Sequence, residues 1–322
     1  MKNILILTSG GDAPGMNAAI RAAVRAGHYF GLNVFGCRSG FQGLVDQVIF
    51  PLELDSVANC IQHGGTILLA DRCLPFYEKT TRDACRAFLK SKKIDGIIVI
   101  GGNGSFKGAA VLSHEGGPAT IGIPGTIDND IPGTDYTIGF DTARNTALQA
   151  IDKIRDTASS HNRHFLVEVM GHNTGFLAVD VGIAGGAEFI LAPEFGLTVE
   201  ELATKILQPR RRKLSSITVV AEADQPGRSF QIAKQLEQLT QLPHRVCILG
   251  HTQRGGSPTT LDRKIASQMG HLAVKGLLDG ESHKMTALNN NHLALVPFPD
   301  QNAPPRVLNQ LDLIELNHIL CI

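Results

Sequence analysis

Neither sign of charge is in excess in this 322-residue sequence, where 30 Lys and Arg stand against 30 Asp and Glu. That balance argues against a broad nucleic-acid footprint or an anionic membrane surface as partner. Any anionic ligand must then be held by local arginines and glycine-rich turns. Long hydrophobic runs are also missing. The most apolar late stretch, residues 176–192, is broken by Asp180 and Glu188, which argues against a simple membrane span. The apolar start of MKNILILTSGGDAPG is too short for a secretory signal and has no small-residue cleavage site. The six cysteines (Cys37, Cys60, Cys73, Cys85, Cys247 and Cys321) include no C-x-x-C pair. Reduced thiols in the cytoplasm fit that scatter better than a disulfide framework.

What is present is a chain 43% hydrophobic and 19% charged, long enough for one large α/β unit or two joined lobes. One grammar recurs: a short β-branched run, a glycine-rich turn, then an amphipathic helix. Residues 4–7 lead into Ser9-Gly10-Gly11-Asp12 and a helix over 17–26. Residues 96–100 lead into Gly101-Gly102-Asn103-Gly104-Ser105 and a helix from about Phe106. Residues 120–123 lead into Pro124-Gly125-Thr126-Ile127-Asp128-Asn129-Asp130. Further strands are expected at 165–169, 216–220 and 245–249. Strands alternating with helices imply βαβ units and a parallel sheet, and continuously apolar strands imply burial on both faces. The proline-rich stretch at 297–305 is the clearest break.

In such sheets ligands sit at the carboxyl ends of the strands, which makes the turns the places to look. Neither G-x-x-x-x-G-K-[ST] nor G-x-G-x-x-G occurs at them. Gly10, Gly11 and Gly15 around Asp12, and the Gly101–Ser105 turn, suit a phosphate against a helix N-terminus. They equally suit tight βα connections. Asp128 and Asp130, two residues apart, could divide metal binding from proton acceptance, or could build an ordinary Asx turn.

The segments SGGDAPGMNAAIR, GGNGS, PGTIDNDIPGTDYTIGFDTA, VEVMGH and LGHTQRGGSP, in this order, resemble the ATP-dependent 6-phosphofructokinases over nearly the whole chain, weakening after about Leu278. The resemblance implies two Rossmann-like lobes with mainly parallel sheets flanked by helices. Residues 1–139 and 253–303 would form a nucleotide-binding lobe, and 140–252 and 304–322 a sugar-phosphate lobe. It implies ATP and Mg2+, with transfer of the γ-phosphoryl to the 1-hydroxyl of fructose 6-phosphate. Asp128 would be the general base, Thr126 would lie beside the transferring group, and Arg72 would neutralise charge on it. Gly11, Arg72, Cys73, Gly102, Asn103, Gly104 and Ser105 would hold ATP, with Asn103 and Asp130 at the metal. Thr126, Ile127, Asp128, Met170, Gly171, His172, Glu222, His251 and Arg254 would contact the sugar phosphate. Arg163 and Arg245 would reach the 6-phosphate from a neighbouring subunit, since the family is typically a homotetramer.

Glycine at 104 and 125 favours ATP over pyrophosphate, whose users usually carry Asp and Lys there. Two positions depart from the family pattern: Asn103 replaces an aspartate and His172 an arginine. Both remove charge near the phosphates, with Lys107 one helical turn on. A regulatory paralogue with weakened turnover is the alternative they suggest. Arg21, Arg25, Arg155, Glu188, Arg211 and Lys213 resemble an effector site for a nucleoside diphosphate or phosphoenolpyruvate. Leu54 stands where that site usually has an arginine. His161, His164 and His172 have no cysteine or carboxylate at ligand spacing, which argues against zinc.

Overall fold

A computed structural model describes residues 1–195, 197–208, 215–300, 304, 306–308 and 311–321. Arg211 and Lys213 lie outside them. In chain order the first elements are β1 (Asn3–Ser9), α1 (Met16–Tyr29), β2 (Asn33–Cys37), α2 (Gly40–Val45), β3 (Ile49–Pro51) and α3 (Lys79–Ser91). There follow β4 (Gly96–Gly101), α4 (Asn103–His114), β5 (Ala119–Thr126), β6 (Ile138–Gly139) and α5 (Phe140–His161). Next come β7 (His164–Val169), α6 (Phe176–Ala184), β8 (Phe189–Leu191), α7 (Val199–Ile206), β9 (Ser216–Ala221), α8 (Arg228–Thr240) and β10 (His244–Ile248). The last are α9 (Thr260–Leu278), β11 (Lys284–Asn289), β12 (His292–Pro297) and α10 (Leu311–Leu320).

The chain forms two compact units, Met1–Thr142 with Arg254–Pro305, and Ala143–Gln253 with Arg306–Ile322. In the first, the strand order is β12-β11-β5-β4-β1-β2-β3, with β6 beside β5. The central pairs are parallel, while β2–β3 and β11–β12 are antiparallel. The apolar runs of β1 and β4 read as they do because both faces are covered. Leu5, Leu7, Ile97 and Val99 pack with Phe88 and Leu89 of α3 and with Phe41 and Phe76. The other face lies under α1 and α9, which pack against each other. Gly270 permits that approach, because a Cβ there would stand 2.6 Å from the Ala19 carbonyl.

In the second unit four parallel strands run in the order β10-β7-β9-β8. Leu166, Phe189, Leu191 and Val220 meet Leu202 of α7 and Ile232 and Leu236 of α8. Two element limits differ from the sequence reading. The helix expected from Phe106 begins at Asn103, so the glycine turn is itself its first turn. Likewise β5 runs on through Pro124 and Gly125 to Thr126, because β6 supplies a parallel neighbour there. No helix of the described residues is long and apolar enough to cross a membrane.

A buried carboxyl fastens β6 to the rest of the first unit. Asp262, fully buried in the first turn of α9, accepts hydrogen bonds from the Gly139 amide (2.9 Å), the Thr142 amide (2.8 Å) and the Thr142 hydroxyl (2.5 Å). Thr259 caps the same helix and donates to Asp141 at 2.7 Å. Burial pushes the Asp262 carboxyl up from 3.8 to about 6, against the pull of those donors. Between these values the folded chain holds a proton that the unfolded chain has released, so this group's contribution to stability falls as pH rises through the window. A two-unit shift corresponds to about 3 kcal/mol. We predict that Asp262→Asn removes that slope. In urea unfolding, the wild-type-minus-variant difference should change between about pH 4 and about pH 6 and be flat above. Parallel profiles across the window would show that Asp262 does not titrate there.

Candidate active site

Three neighbouring parallel strands of the first unit end at one level. Ser9 of β1 is in register with Gly101 of β4, and Gly101 with Pro124 of β5. Each strand then releases one of the turns singled out in the sequence. The first two turns are tied together, since the buried Ser105 hydroxyl donates to the Ser9 carbonyl at 2.9 Å. That bond needs glycine beneath it. A Cβ on Gly101 would collide with the Ser9 carbonyl and stand 2.5 Å from Ser105 Oγ. Gly10 has φ +85° and Gly15 φ +107°, a region open to glycine at no steric cost.

The glycines of the α4 turn do different work. Gly104 is exposed, and among the described residues a Cβ there would meet nothing within 4 Å, so no neighbour among them demands glycine at this position. Space at the first turn of a helix, where amides lack intrahelical acceptors, is space for an anion. At Gly125, by contrast, a Cβ would stand 3.1 Å from both Ile100 and Met16, so packing already demands a small residue. Gly11 is open except for one neighbour, the guanidinium of Arg254, whose Nη1 donates to the Asp12 carbonyl at 3.1 Å. Arg254, read from the sequence as a sugar-phosphate contact, thus lies against the first glycine turn.

The third turn is held by its own side chains. The Asp128 amide donates to Thr126 Oγ1 at 3.2 Å, and that hydroxyl lies 3.3 Å from Asp128 Oδ2. Ile127 is fully buried, Asp128 half-buried and Asp130 buried. Between the carboxylates Asn129 turns the chain with φ +53°. Its Oδ1 accepts the Thr137 amide at 3.0 Å, and its Nδ2 donates to the Asp135 carbonyl at 3.2 Å. The Asn103 amide reaches the Asp130 carbonyl at 3.5 Å, a bond an aspartate could not make. Lys107 is exposed.

Arg72 sits exposed on the long loop before α3, and Cys73 beside it is half-buried. Burial raises the Cys73 thiol above its usual range, which keeps it a protonated thiol at neutral pH. Residues the sequence reading passed over anchor this loop. Asn17 donates to the carbonyls of His63 (3.0 Å) and Gly64 (3.2 Å) and accepts the Ile67 amide (2.8 Å), while Thr8 donates to the Leu69 carbonyl (2.7 Å). Beyond Cys73, Arg82 of α3 bonds Glu115 in two places, at 2.9 and 2.7 Å, and also the carbonyls of Phe76 and Tyr77. That clamp joins the far end of α4 to the turn after Cys73.

In the second unit, Met170, Gly171 and His172 leave the carboxyl end of β7, and Glu222 that of the adjacent β9. Gly171 (φ +136°) and His172 (φ +52°) make a sharp turn in which His172 is exposed and its amide donates to Glu222 Oε1 at 3.3 Å. Gln253, absent from the sequence reading, holds the Met170 amide at 2.9 Å. His251 is exposed just after β10. These residues are brought together. Arg163 and Arg245 are not with them, because they stand at the opposite, amino ends of β7 and β10. Along a strand of this length that is a separation of about 17–20 Å.

The effector candidates are placed unevenly. Arg155 donates to the Gly185 and Gly186 carbonyls at 2.6 and 2.7 Å and lies 3.6 Å from buried Glu188, whose Oε2 accepts the Ile217 amide. Both side chains are thus engaged in holding the fold. Arg21 and Arg25 lie on α1 of the other unit, and Leu54 is exposed.

Glycine turns and a carboxylate loop at the carboxyl edge of a parallel sheet define an α/β protein built around phosphate groups. Residues 3–277 match the family described as Phosphofructokinase. A protein of Coxiella burnetii named ATP-dependent 6-phosphofructokinase is 56% identical over 321 residues, covering 100% of this chain and 98% of its own. One of the same name from Thermoanaerobacter pseudethanolicus is 50% identical over 324 residues, covering 100% of both. Among solved structures, Pichia pastoris phosphofructokinase in the T-state matches with a TM-score of 0.87 at 34% identity, over 92% of this chain but only 35% of its own. A pyrophosphate-dependent phosphofructokinase from Marinobacter aquaeolei, at 21% identity and TM-score 0.82, shares the fold. The chain belongs to the phosphofructokinase family and is an enzyme; the reading as a weakened regulatory paralogue is not favoured.

The two kinds of glycine in this turn predict opposite outcomes in a stability measurement. Gly101→Ala should lower unfolding stability by about 2 kcal/mol or more, because backbone and the Ser105–Ser9 bond must shift. Gly104→Ala should gain about 0.5–1 kcal/mol from helix propensity alone. Equal losses at the two positions would contradict the open space beside Gly104.

Proposed function

We propose that this chain transfers the γ-phosphoryl group of ATP to the 1-hydroxyl of fructose 6-phosphate, giving fructose 1,6-bisphosphate and ADP, a step of glycolysis. The observation that carries this reading is the common ending of β1, β4 and β5, which sets two glycine turns beside the Thr126–Asp130 loop. Phosphoryl transfer asks a protein mainly for position and for charge neutralisation, and this edge offers both.

Gly11, Gly102, Gly104, the Ser105 amide, Arg72 and Cys73 would hold the nucleotide. The Ser105 hydroxyl, already donating to Ser9, serves that turn by shaping it. Asp128 accepts the proton of the 1-hydroxyl as its oxygen bonds to the γ-phosphorus and the bond to the β-phosphate oxygen breaks. Thr126 lies beside the transferring group and keeps the Asp128 carboxylate oriented, and Ile127 backs them from the core. Arg72 meets the negative charge that develops on the transferring oxygens.

Mg2+ takes oxygen ligands and keeps waters and substrate phosphates, needing only one or two protein groups. The Asn103 side-chain oxygen and the Asp130 carboxylate are oxygen donors on neighbouring segments, linked by the Asn103 amide and the Asp130 carbonyl, so the donor set fits the ion. These two residues would hold it, and when bound it would neutralise phosphate charge.

Met170, Gly171, His172, Glu222, His251 and Arg254 would hold fructose 6-phosphate. The opposite placement of Arg163 and Arg245 supports their reaching the 6-phosphate in a neighbouring subunit of a homotetramer. Residues 1–139 with 253–303 then act as the nucleotide lobe, and 140–252 with 304–322 as the sugar-phosphate lobe. A nucleoside diphosphate or phosphoenolpyruvate binding near Arg21, Arg25, Arg155 and Glu188, in the cytoplasm, completes the reading.

Purified protein with ATP, Mg2+ and fructose 6-phosphate should release ADP in a coupled assay, and pyrophosphate should not replace ATP. Asp128→Asn should lower kcat by about 10²–10⁴-fold with unchanged thermal unfolding. An unaltered kcat would remove Asp128 as the base. Asn103→Asp restores a charge beside Asp130 and should tighten the Mg2+ dependence of turnover. An unchanged Mg2+ titration would show that Asn103 does not face the metal.

A further inference from the structure

One polar rung crosses three strands of the second unit at a single level. His244 of β10 is in register with His164 of β7, and His164 with Ser216 of β9. Residues paired in this way project to the same face of a parallel sheet, and the contacts agree. The two imidazoles stack with centroids 5.3 Å apart and planes 29° from parallel. His164 Nδ1 lies 2.8 Å from Ser216 Oγ. His244 is 8% exposed and Ser216 4%, so the rung is largely out of water. Above it, the strands turn apolar at Leu166, Val167 and Val219.

The rung adjoins, in the chain, two residues read as sugar-phosphate contacts. Arg245 follows His244 and, by strand alternation, projects from the opposite face. Arg163 comes one residue before His164, at the entry to β7. A stack that clamps the amino ends of β7 and β10 therefore fixes where both arginines start.

The rung also has a preferred protonation state. His244 Nδ1 lies 2.8 Å from the Leu242 carbonyl, which can only accept, so this nitrogen carries the hydrogen and Nε2 is bare. Nε2 is buried with no partner among the described residues. A proton there would create a buried N–H without an acceptor, on a ring stacked against a second imidazole. Among the described residues, the charged and titratable groups next to His244 are Arg245, adjacent in the chain, Glu237 of α8 and the stacked His164 of β7, with Arg163 one residue before His164. Ser216 on β9 adds only a hydroxyl. Glu237 accepts the His244 amide at 3.0 Å and, with the Leu242 carbonyl, favours the cation. Burial nevertheless lowers the His244 pKa below its usual 6.5, against the Leu242 carbonyl and Glu237.

We propose that the stacked His164–His244 pair is a positioning unit for the sugar-phosphate arginines, holding β7 and β10 in the register that presents Arg163 and Arg245, and holding it only while His244 is neutral. This rests on the reading that those arginines meet the 6-phosphate. The sign follows from linkage. A histidine with a lowered folded pKa gives its full support above the usual value and loses it as pH falls through the lowered one. Affinity for fructose 6-phosphate should therefore fall on acidification, while ATP affinity and kcat at saturating sugar phosphate do not follow.

The test measures KM for both substrates from about pH 7.5 to about pH 5.5 in the tetramer-forming enzyme, its His244→Phe variant and its Arg245→Ala variant. The substrate's own phosphate loses charge near about pH 6, but this affects every variant equally. In the wild type, KM for fructose 6-phosphate should rise about tenfold more than in His244→Phe, a ring that stacks without titrating. Parallel profiles in these two proteins, with Arg245→Ala impaired, overturn the inference alone. An unimpaired Arg245→Ala overturns the underlying reading and the inference with it. Should His244→Phe not fold, the His244 titration is followed in the wild type by imidazole NMR. A midpoint shared with the KM rise supports the proposal, and a midpoint at about 6.5 or above overturns it.

Discussion

The site depends on one close approach, that of the β1 and β4 carboxyl ends, which Gly101 allows by having no Cβ and Ser105 secures by donating to the Ser9 carbonyl. A neutral hydrogen bond of this kind contributes only about 1 kcal/mol net. Its importance is geometric. The first turn of α4 is carried by the strand beside β1, so the two glycine turns face the same space. β5 adds the Thr126–Asp130 loop from the next strand over. Parallel strands sharing one terminal level bring three short segments, far apart in sequence, to one edge of the sheet.

Around that edge, side chains with no chemistry of their own hold the chemical ones. Asn17 and Thr8 use buried positions at the root of the first turn to bind the loop that carries Arg72. Asn129 does the same for the segment following the two aspartates, and Asp262 anchors the strand that pairs with Thr126. Arg82 joins α4 to the turn after Cys73. Preorganisation by such supports is cheaper at the moment of reaction than any rearrangement. It also explains why asparagine and threonine recur in loops that would otherwise be costly to order.

Much of this was legible in sequence, and the reason differs by level. Apolar strands, glycine turns and amphipathic helices follow from local periodicity, so the β1, β4, β7, β9 and β10 positions were expected within a residue or two. The start of α4 was misplaced because Gly and Asn have low helix propensity, and tertiary contacts of Ser105 override it. For the Asp128–Asp130 segment the structure shows the local turn: the Asp128 amide and carboxylate both meet Thr126 Oγ1. Asn129 closes that turn onto the Asp135 carbonyl and the Thr137 amide, contacts that a single polar residue in the sequence does not announce. Supports such as Asn17, Gln253 and Arg82 left no signal, because a single polar residue in a loop or helix looks the same whether it holds a distant carbonyl or faces water. The register that separates Arg163 and Arg245 from Glu222 likewise exists only once strands pair.

The residues that depart from the family pattern are best weighed by what they touch. Asn103 replaces a charge, yet its amide gains a contact with the Asp130 carbonyl that an aspartate would repel. His172 replaces a long cation with a shorter, exposed ring held at a left-handed φ by the Gly171 turn and the Glu222 contact. His244, by contrast, is buried, and the role proposed for its stack needs the neutral ring. The two rings differ in burial: one faces water past the carboxyl end of β7, the other stands out of water at the amino end of β10, so only the second can hold its strands by packing.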